Sequence, residues 1–380
     1  MNLISRLPDV GTSIFTVMSK MALEHEAINL SQGFPDFPVD PQLIQLVNKA
    51  MHDGHNQYAP MPGLPALKKK LAGLIQITYR CEVDPDTEIL ISAGGTQAIY
   101  STVSAFVQAG DEVIIFDPCY DCYDPAVRLN GGVPVHINLT PPGFSIPWDE
   151  VRSKINHRTR AIIVNTPHNP CGSVLSEQDM KTLSGIASEF DLLVFSDEVY
   201  ERIIFDGKAH NSVLKYPELR QRSVAIFSFG KTFHTTGWKT GCTIAPPQLT
   251  TEIRKAHQFI VFSVNTPIQM ALAEYLENIS NVLSLPKFYQ AKRDFFLEQI
   301  KGCSFKPLPC FGSYFQLLSY EGTSRESDWG MAERLTKEFK IASIPVSVFY
   351  QDKSDHKLLR FCFAKKEETL MKAGEILRKL

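Results

Sequence analysis

No stretch of this sequence approaches the roughly 18 to 20 consecutive apolar residues that a membrane-spanning helix needs, so no membrane partner is expected. Neither sign of charge is in excess. Thirty-nine Lys and Arg face 41 Asp and Glu, a formal net charge of −2, which gives no broad electrostatic case for nucleic acid or an anionic surface. The first residues lack the charged-then-apolar layout of an export signal, because Pro8, Asp9 and Gly11 interrupt any apolar run. Cysteine is sparse and scattered: there are eight, and only Cys119 and Cys122 form a C-x-x-C, with no second pair to complete a zinc site. Reduced thiols in a cytoplasmic protein are expected, with neither a disulfide framework nor a bound metal. No G-x-G-x-x-G and no Walker lysine occur where a strand gives way to a helix, which removes the main support for dinucleotide or ATP binding. Internal repeats and low-complexity tracts are also missing. The one basic run, Lys68–Lys70, reads as a solvated helix face.

What remains is a chain of 380 residues, 44% hydrophobic and 21% charged, ordinary for a globular protein and long enough for two cores. Its middle alternates short apolar runs with amphipathic stretches. Strands are expected at Glu88–Ser92, Glu112–Phe116, Arg160–Asn165, Leu192–Ser196, Ser223–Ser228 and Thr240–Ala245. Several are nearly continuous Val, Ile, Leu and Phe, as strands buried on both faces of a parallel sheet are. One intervening helix places Ile99, Val103, Phe106 and Val107 on one face. Another opens with Ser176 and Asp179 at capping-box spacing and repeats Met180, Leu183, Ala187 and Phe190. The fold class is therefore α/β with a mostly parallel sheet. After Pro286 the pattern changes to a helix with Phe288, Phe295, Phe296 and Ile300, two short strands (Tyr314–Leu318 and Leu358–Phe363) and a last helix ending at Leu380. We expect an N-terminal arm and part of a small domain in residues 1–40, a large domain in 41–285, and a small α+β domain in 286–380.

In open α/β sheets ligands sit beyond the carboxyl ends of the strands, so the residues after each apolar run matter most. Ser92-Ala93-Gly94-Gly95-Thr96-Gln97 is a glycine turn opening a helix, suited to a phosphate but equally a plain tight turn. Asn165-Thr166-Pro167-His168-Asn169-Pro170 is either a rigid turn or a presentation of amide groups at a strand end. Asp197, at the end of the next run, is costly to bury without a positive partner. It either pairs with an arginine, caps a helix, or holds a proton on a bound heterocycle. Ser228 and Lys231 stand three apart, with Lys239 eight further on, in a glycine-rich stretch. Lys231 is either a solvated charge or a desolvated amine of lowered pKa and raised nucleophilicity. Arg360 lies alone in the apolar run Leu358–Phe363, where a planar guanidinium has reason to meet a carboxylate. Together, a phosphate cradle, an acid for a pyridinium nitrogen and an imine-forming lysine are what a pyridoxal-phosphate site requires.

At this point the sequence resembles the class I, fold-type I aminotransferases that use pyridoxal 5'-phosphate, and within them the methionine and kynurenine (glutamine) transaminase branch. The matching stretches are Asn29–Phe37, Asn56–Pro60, Ser92–Ala98, Phe116–Tyr123, Asn165–Gly172, Ser196–Glu201, Ser228–Gly241 and Leu358–Lys365, in the family's order along nearly the whole chain. The resemblance implies a large domain around a mostly parallel sheet with a smaller α+β domain. It implies that Lys231 bonds the cofactor as a Schiff base, that Asp197 pairs with the ring nitrogen, and that Asn169 and Tyr200 meet the ring hydroxyl. Tyr120 would stack on the ring. Gly95, Thr96, Gln97, Ser228 and Lys239 would surround the phosphate, as would Tyr58 from a neighbouring subunit, which makes the protein a homodimer with shared sites. Arg360 would hold the substrate carboxylate beside Asn169 and the Gly33 backbone. The implied reaction is ping-pong transfer of an amino group from an L-amino acid to a 2-oxo acid.

The pattern has departures. Lys239 stands where aspartate-specific relatives carry arginine, and Ser263 where some kynurenine transaminases have histidine. Ile14, Phe15 and Phe349 are candidate walls of an apolar side-chain pocket, or ordinary core. With no second arginine suggested for a dicarboxylate, a neutral, methionine-like or aromatic substrate is expected. A carbon–sulfur β-lyase of the cystathionine or cysteine-conjugate type shares the same Lys, Asp and Arg, and stands as the alternative. A ligand-binding regulator on the same fold is disfavoured, since no attached DNA-binding domain is expected and the lysine is intact, and a nicotinamide dehydrogenase is disfavoured because the glycine fingerprint is missing.

Overall fold

The computed structural model describes residues 3–380, whose strands in chain order are β1 (Ile28–Asn29), β2 (Ile89–Ser92), β3 (Glu112–Asp117), β4 (Val133–Asn138), β5 (Thr159–Asn165), β6 (Leu193–Asp197), β7 (Ser223–Ser228), β8 (Gly241–Ile244), β9 (Lys306–Pro307), β10 (Phe315–Ser319), β11 (Ile341–Ala342), β12 (Ile344–Pro345) and β13 (Leu358–Cys362). Seven of them make one sheet in the order β2-β8-β7-β6-β5-β3-β4. All its pairings are parallel except those of β8, which runs against both β2 and β7.

The alternation along each strand explains why this sheet is covered on both faces. Ile89, Ile91, Ile114, Phe116, Ile162, Val164 and Phe227 enter one core. Their neighbours Leu90, Val113, Ile115, Ala161, Ile163, Val224 and Ile226 enter a second core on the opposite face. The Gly95–Phe106 helix seals the second core with Ile99, Val103 and Phe106. The Glu177–Glu189 helix seals the first with Met180, Leu183 and Ala187, and its capping box between Ser176 and Asp179 forms as expected. Phe190 is the C-cap of that helix and stands 38% exposed, so it leaves the apolar stripe.

Three local features depart from expectation. Strand β4 is an edge strand with half-exposed residues, so it carries no continuous apolar run to announce it. The proline-interrupted N-terminus holds a helix, Ile14–Glu24, whose Ser13 cap accepts from the Thr16 N–H. Lys68 is buried, not solvated, and meets Asp86 at 3.0 Å; of the basic run Lys69 is exposed and Lys70 half-buried. A four-stranded antiparallel sheet, β12-β13-β10-β9, forms late in the chain, with Arg360 of β13 opposite Leu317 of β10. Strand β1 pairs in parallel with β11, joining the first forty residues to this C-terminal part. All eight cysteines are unpaired, and no helix among the described residues is long and apolar enough to cross a membrane.

Candidate active site

The sheet's register brings the informative strand ends to one level. Asn165 at the end of β5 lies opposite Asp197 at the end of β6. Ser92 of β2 and Ser228 of β7 both face Gly241 of β8. Above this edge is a cavity of ≈ 240 Å³ whose wall includes Gly33, Gly95, Thr96, Tyr120, Asn169, Asp197, Tyr200, Ser228, Lys231, Lys239 and Arg360. Segments from residue 33 to residue 360 therefore converge on one space.

At one end, Gly94 takes φ +81°, a conformation open to glycine, and turns the chain into the Gly95–Phe106 helix. No side chain caps that helix, so its first N–H groups are left for a ligand, and the helix dipole favours an anion there. Ser228 and the Lys239 ammonium border the same end. The Thr96 hydroxyl lies 3.2 Å from the Tyr120 hydroxyl, which ties the Tyr120 ring to the helix start.

In the middle, Asp197 is buried, and burial pushes its carboxyl up to about 6 although the Tyr123 hydroxyl donates to it at 2.5 Å and the Val199 N–H at 3.2 Å. No arginine pairs with it, so of the sequence alternatives the arginine pair is not what forms. The Lys231 amine donates to the Tyr314 hydroxyl at 2.8 Å and to the Gly33 carbonyl at 3.4 Å, and burial lowers it to about 8. Near neutral pH a useful fraction is the uncharged nucleophile.

At the far end, Arg360 is 1% exposed, and its guanidinium carbon stands over the Phe315 ring, 3.9 Å from the centroid. Its two terminal nitrogens donate to Asn169 Oδ1 at 2.8 Å and the Ser31 carbonyl at 2.9 Å, while its Nε has no partner. Burial lowers its pKa to about 10. No carboxylate neutralises it within hydrogen-bond reach, so an anionic ligand would.

The remaining expected residues divide between this cavity and its surroundings. The Gln97 side chain turns away: its Oε1 accepts from the Ala93 N–H at 2.9 Å and its Nε2 meets His257 at 3.2 Å, so only its backbone faces the helix start. Tyr58 is 81% exposed, edge-on to Phe262, in a surface hollow that Ser263 also lines. Phe15 is on the cavity wall, whereas Ile14 is half-buried against the core. Phe349 is buried behind Phe15, with ring centroids 6.0 Å apart, and 5.3 Å from the Arg360 guanidinium. The sequence reading missed Tyr123, Tyr314, Ser31 and Phe315. Each stood inside a quoted motif or strand, but nothing local marked it as more than packing.

A seven-stranded mixed sheet with a lysine, an acid and a helix N-terminus gathered at its carboxyl edge defines a fold-type I pyridoxal-phosphate transferase. The description "aminotransferase class I and II" matches residues 25–377, and the chain belongs to that family. It is 46% identical over 377 residues to a methionine aminotransferase of Escherichia coli (strain K12), covering 99% of this chain and 98% of that one. It is 35% identical over 404 residues to kynurenine–oxoglutarate transaminase 3 of Mus musculus, covering 98% and 89%. Over the full length of both chains it superposes with a TM-score of 0.98 on the crystal structure of YbdL from Escherichia coli, for which a methionine aminotransferase function was identified. The protein is thus an aminotransferase that uses pyridoxal 5'-phosphate and transfers an amino group between amino acids and 2-oxo acids. These relatives lend the lyase alternative no support.

The residues present fit the cofactor. An uncapped helix start can take its phosphate, a buried carboxyl without a paired cation can take its ring nitrogen, and a half-buried amine without a paired carboxylate can take its carbonyl.

Proposed function

We propose that this aminotransferase acts on neutral L-amino acids, methionine-like or aromatic, and that it does so as a homodimer with shared sites. The observation that carries the substrate reading is the cavity wall itself. Its cations among the described residues are Lys231, Lys239 and Arg360, and Phe15 and Phe315 supply the surface around Arg360. Arg360 accounts for one carboxylate, Lys239 borders the phosphate end, and no further cation is left for a second carboxylate. Several named relatives act on methionine or kynurenine, which is consistent with this reading.

In this proposal Arg360 binds the substrate carboxylate, with Asn169 fixing the guanidinium plane from the side. Asn169 spends its Oδ1 on Arg360 and keeps its amide N–H group for the cofactor's ring hydroxyl, next to Tyr200. Asp197 keeps the ring nitrogen protonated by opposite charge. Gly95, Thr96, Ser228 and Lys239 hold the phosphate, Tyr120 covers the ring, and Gln97 contributes only its backbone. When bound, the cofactor draws off the electron pair of the breaking Cα–H bond. Lys231 Nζ takes the Cα proton and delivers it back on the other side of the transfer, a role matched to an amine near pKa 8.

The homodimer reading is supported by exposed aromatic rings: Tyr58 at 81% and Phe262 at 47% pack edge to face, 5.3 Å apart, and Phe259, three residues before Phe262, is 86% exposed. Tyr58 would reach the phosphate of a second copy. Residues 1–40 and 286–380 act as a small domain beside the large domain 41–285. The eight free thiols suit a reducing, cytoplasmic setting.

The test offers methionine, glutamine, phenylalanine, kynurenine and cystathionine separately, with no oxo-acid acceptor. Each accepted donor is expected to yield one equivalent of its 2-oxo acid per site and then stop, the fastest being neutral and apolar. Aspartate, offered in the same way as the acidic control, would overturn the substrate reading by reacting faster than all of them. Pyruvate and thiol accumulating over many turnovers from cystathionine would restore the lyase.

A further inference from the structure

We infer that Tyr314 is a positioning residue for Lys231, holding the amine by one N–H while leaving the nitrogen's electron pair free to react. The inference rests on the role proposed for Lys231 and adds how the amine is aimed. Tyr314 is fully buried, and its hydroxyl donates a hydrogen bond to the Gly33 carbonyl while lying 2.8 Å from Lys231 Nζ. A phenol has one hydrogen, and a carbonyl oxygen can only accept. The Tyr314 hydrogen is therefore committed to Gly33, and toward Lys231 the phenol oxygen offers only a lone pair. Lysine must donate to it. Were the hydrogen free, the phenol would donate to the neutral amine and occupy the electron pair that catalysis needs.

The surroundings hold this arrangement rigid. Tyr200 stands edge-on to the Tyr314 ring at 5.1 Å, Phe315 at 4.9 Å, and Tyr289 lies 6.0 Å away. The Tyr314 carbonyl accepts from the Phe363 N–H at 3.0 Å, which ties it to the strand that carries Arg360. On the other side, the chain at Gly33 passes so close that a Cβ there would stand 2.7 Å from the Phe315 ring. A side chain at position 33 would have to push aside the Phe315 ring or the backbone that carries this carbonyl. Burial also drives the Tyr314 phenol far above its ordinary range, so it does not compete for the lysine's proton. Lone pairs aimed at Lys231 favour its ammonium over its amine, and so partly offset the lowering that burial imposes.

The test is Tyr314→Phe in the full chain, which keeps the ring and removes the oxygen, beside Lys231→Ala. With the cofactor removed, the Lys231 amine is titrated by trace acetylation across pH, with the labelled peptide quantified by mass spectrometry. Its midpoint is expected to fall by about one pH unit in Tyr314→Phe, the effect of losing an acceptor that prefers the charged form. With cofactor restored, kcat is expected to fall about tenfold with the KM for the amino donor changed less than about twofold, because orientation and not binding is lost. A merely structural tyrosine would lower the melting temperature and leave the lysine midpoint in place, and an unmoved midpoint overturns the inference. If Phe at 314 does not fold, 3-fluorotyrosine at the same position, a weaker acceptor of nearly the same shape, must move the midpoint in the same direction or the inference fails. Lys231→Ala separates the two levels: if it retains turnover, the reading of Lys231 is wrong, whatever Tyr314 does.

Discussion

Replacing Arg360 by methionine should nearly abolish activity while leaving the fold about as stable as before. Burial carries the Arg360 pKa from 12.5 to about 10. A drop of that size means that the folded protein without ligand bears on the order of 3 kcal/mol for keeping the charge. Methionine removes that cost and fills similar apolar space against Phe315 and Phe349. Against the gain, Asn169 Oδ1 and the Ser31 carbonyl lose their donors, at about 1–2 kcal/mol each for a buried acceptor left unpaired. The terms nearly cancel, so the change in unfolding free energy should stay within about 1 kcal/mol, well short of the ~3–5 kcal/mol expected when a buried ion pair is broken. The loss falls on the substrate. Removing one side of a buried, bidentate charged pair costs ~3–4 kcal/mol, or roughly 10²–10³-fold in kcat/KM. Urea unfolding without cofactor and steady-state rates with methionine give the two numbers. The carboxylate role is isolated by comparing binding of methionine with that of its decarboxylated amine, which should be indifferent to the change. Equal losses for both ligands would refute the clamp. Destabilisation above about 3 kcal/mol would show that Arg360 is held by the protein for its structure.

Tyr123→Phe removes the hydroxyl that donates to Asp197, so the Asp197 pKa should rise above its present value of about 6; cofactor retention in dialysis at pH 7.5 should weaken about tenfold and worsen as pH falls. His136 lies between Asp117 at 2.9 Å and Asp124 at 3.2 Å, and although burial opposes its charge, those bonds raise it from 6.5 to about 9. Its folded pKa is raised, so its stabilisation is full below pH 6.5 and lost as pH rises through about 9; wild type should lose about 2 kcal/mol more than His136→Gln across that window in urea melts, and parallel curves would refute the pairing. Tyr58→Phe should loosen the cofactor about ten- to a hundredfold without changing the mass in solution, the effect of one lost hydrogen bond to a charged group at about 1.5–3 kcal/mol. A fully active monomer would remove Tyr58 from the site.

What the sequence made legible is what is local. Lys231, Asp197, Asn169 and the Gly94–Thr96 turn each lie within a few residues of the end of an apolar run, so finding the strand end narrows the search to a short segment. The parallel register then does the rest, setting Asn165 beside Asp197 without any further signal. Edge strand β4 escaped because its exposure breaks the apolar run. The Ile14–Glu24 helix escaped because Pro8 and Gly11 just before it, and Pro35 and Pro38 after it, mask its short period.

The residues that act through a partner were not legible, because their partners are far away in the chain. Tyr123 meets Asp197 across 74 positions and Tyr314 meets Lys231 across 83. In sequence each is one aromatic residue among others, and only the fold distinguishes a hydroxyl with a task from a ring in a core. Gln97 shows the converse limit. A shared motif fixes its position, but two residues beyond Gly95 on a helix is about 200° around the axis. Its side chain therefore points to His257 on the far side, while Gly95 and Thr96 face the cavity. A motif fixes where the backbone goes; the turn of the helix decides which of its side chains can reach a ligand. The arginine that looked isolated at 360 needed both kinds of information. Its apolar neighbours in the strand showed that it would be buried, and only the meeting with Asn169, 191 residues away, shows that two of its nitrogens are held in place while Nε has no protein partner.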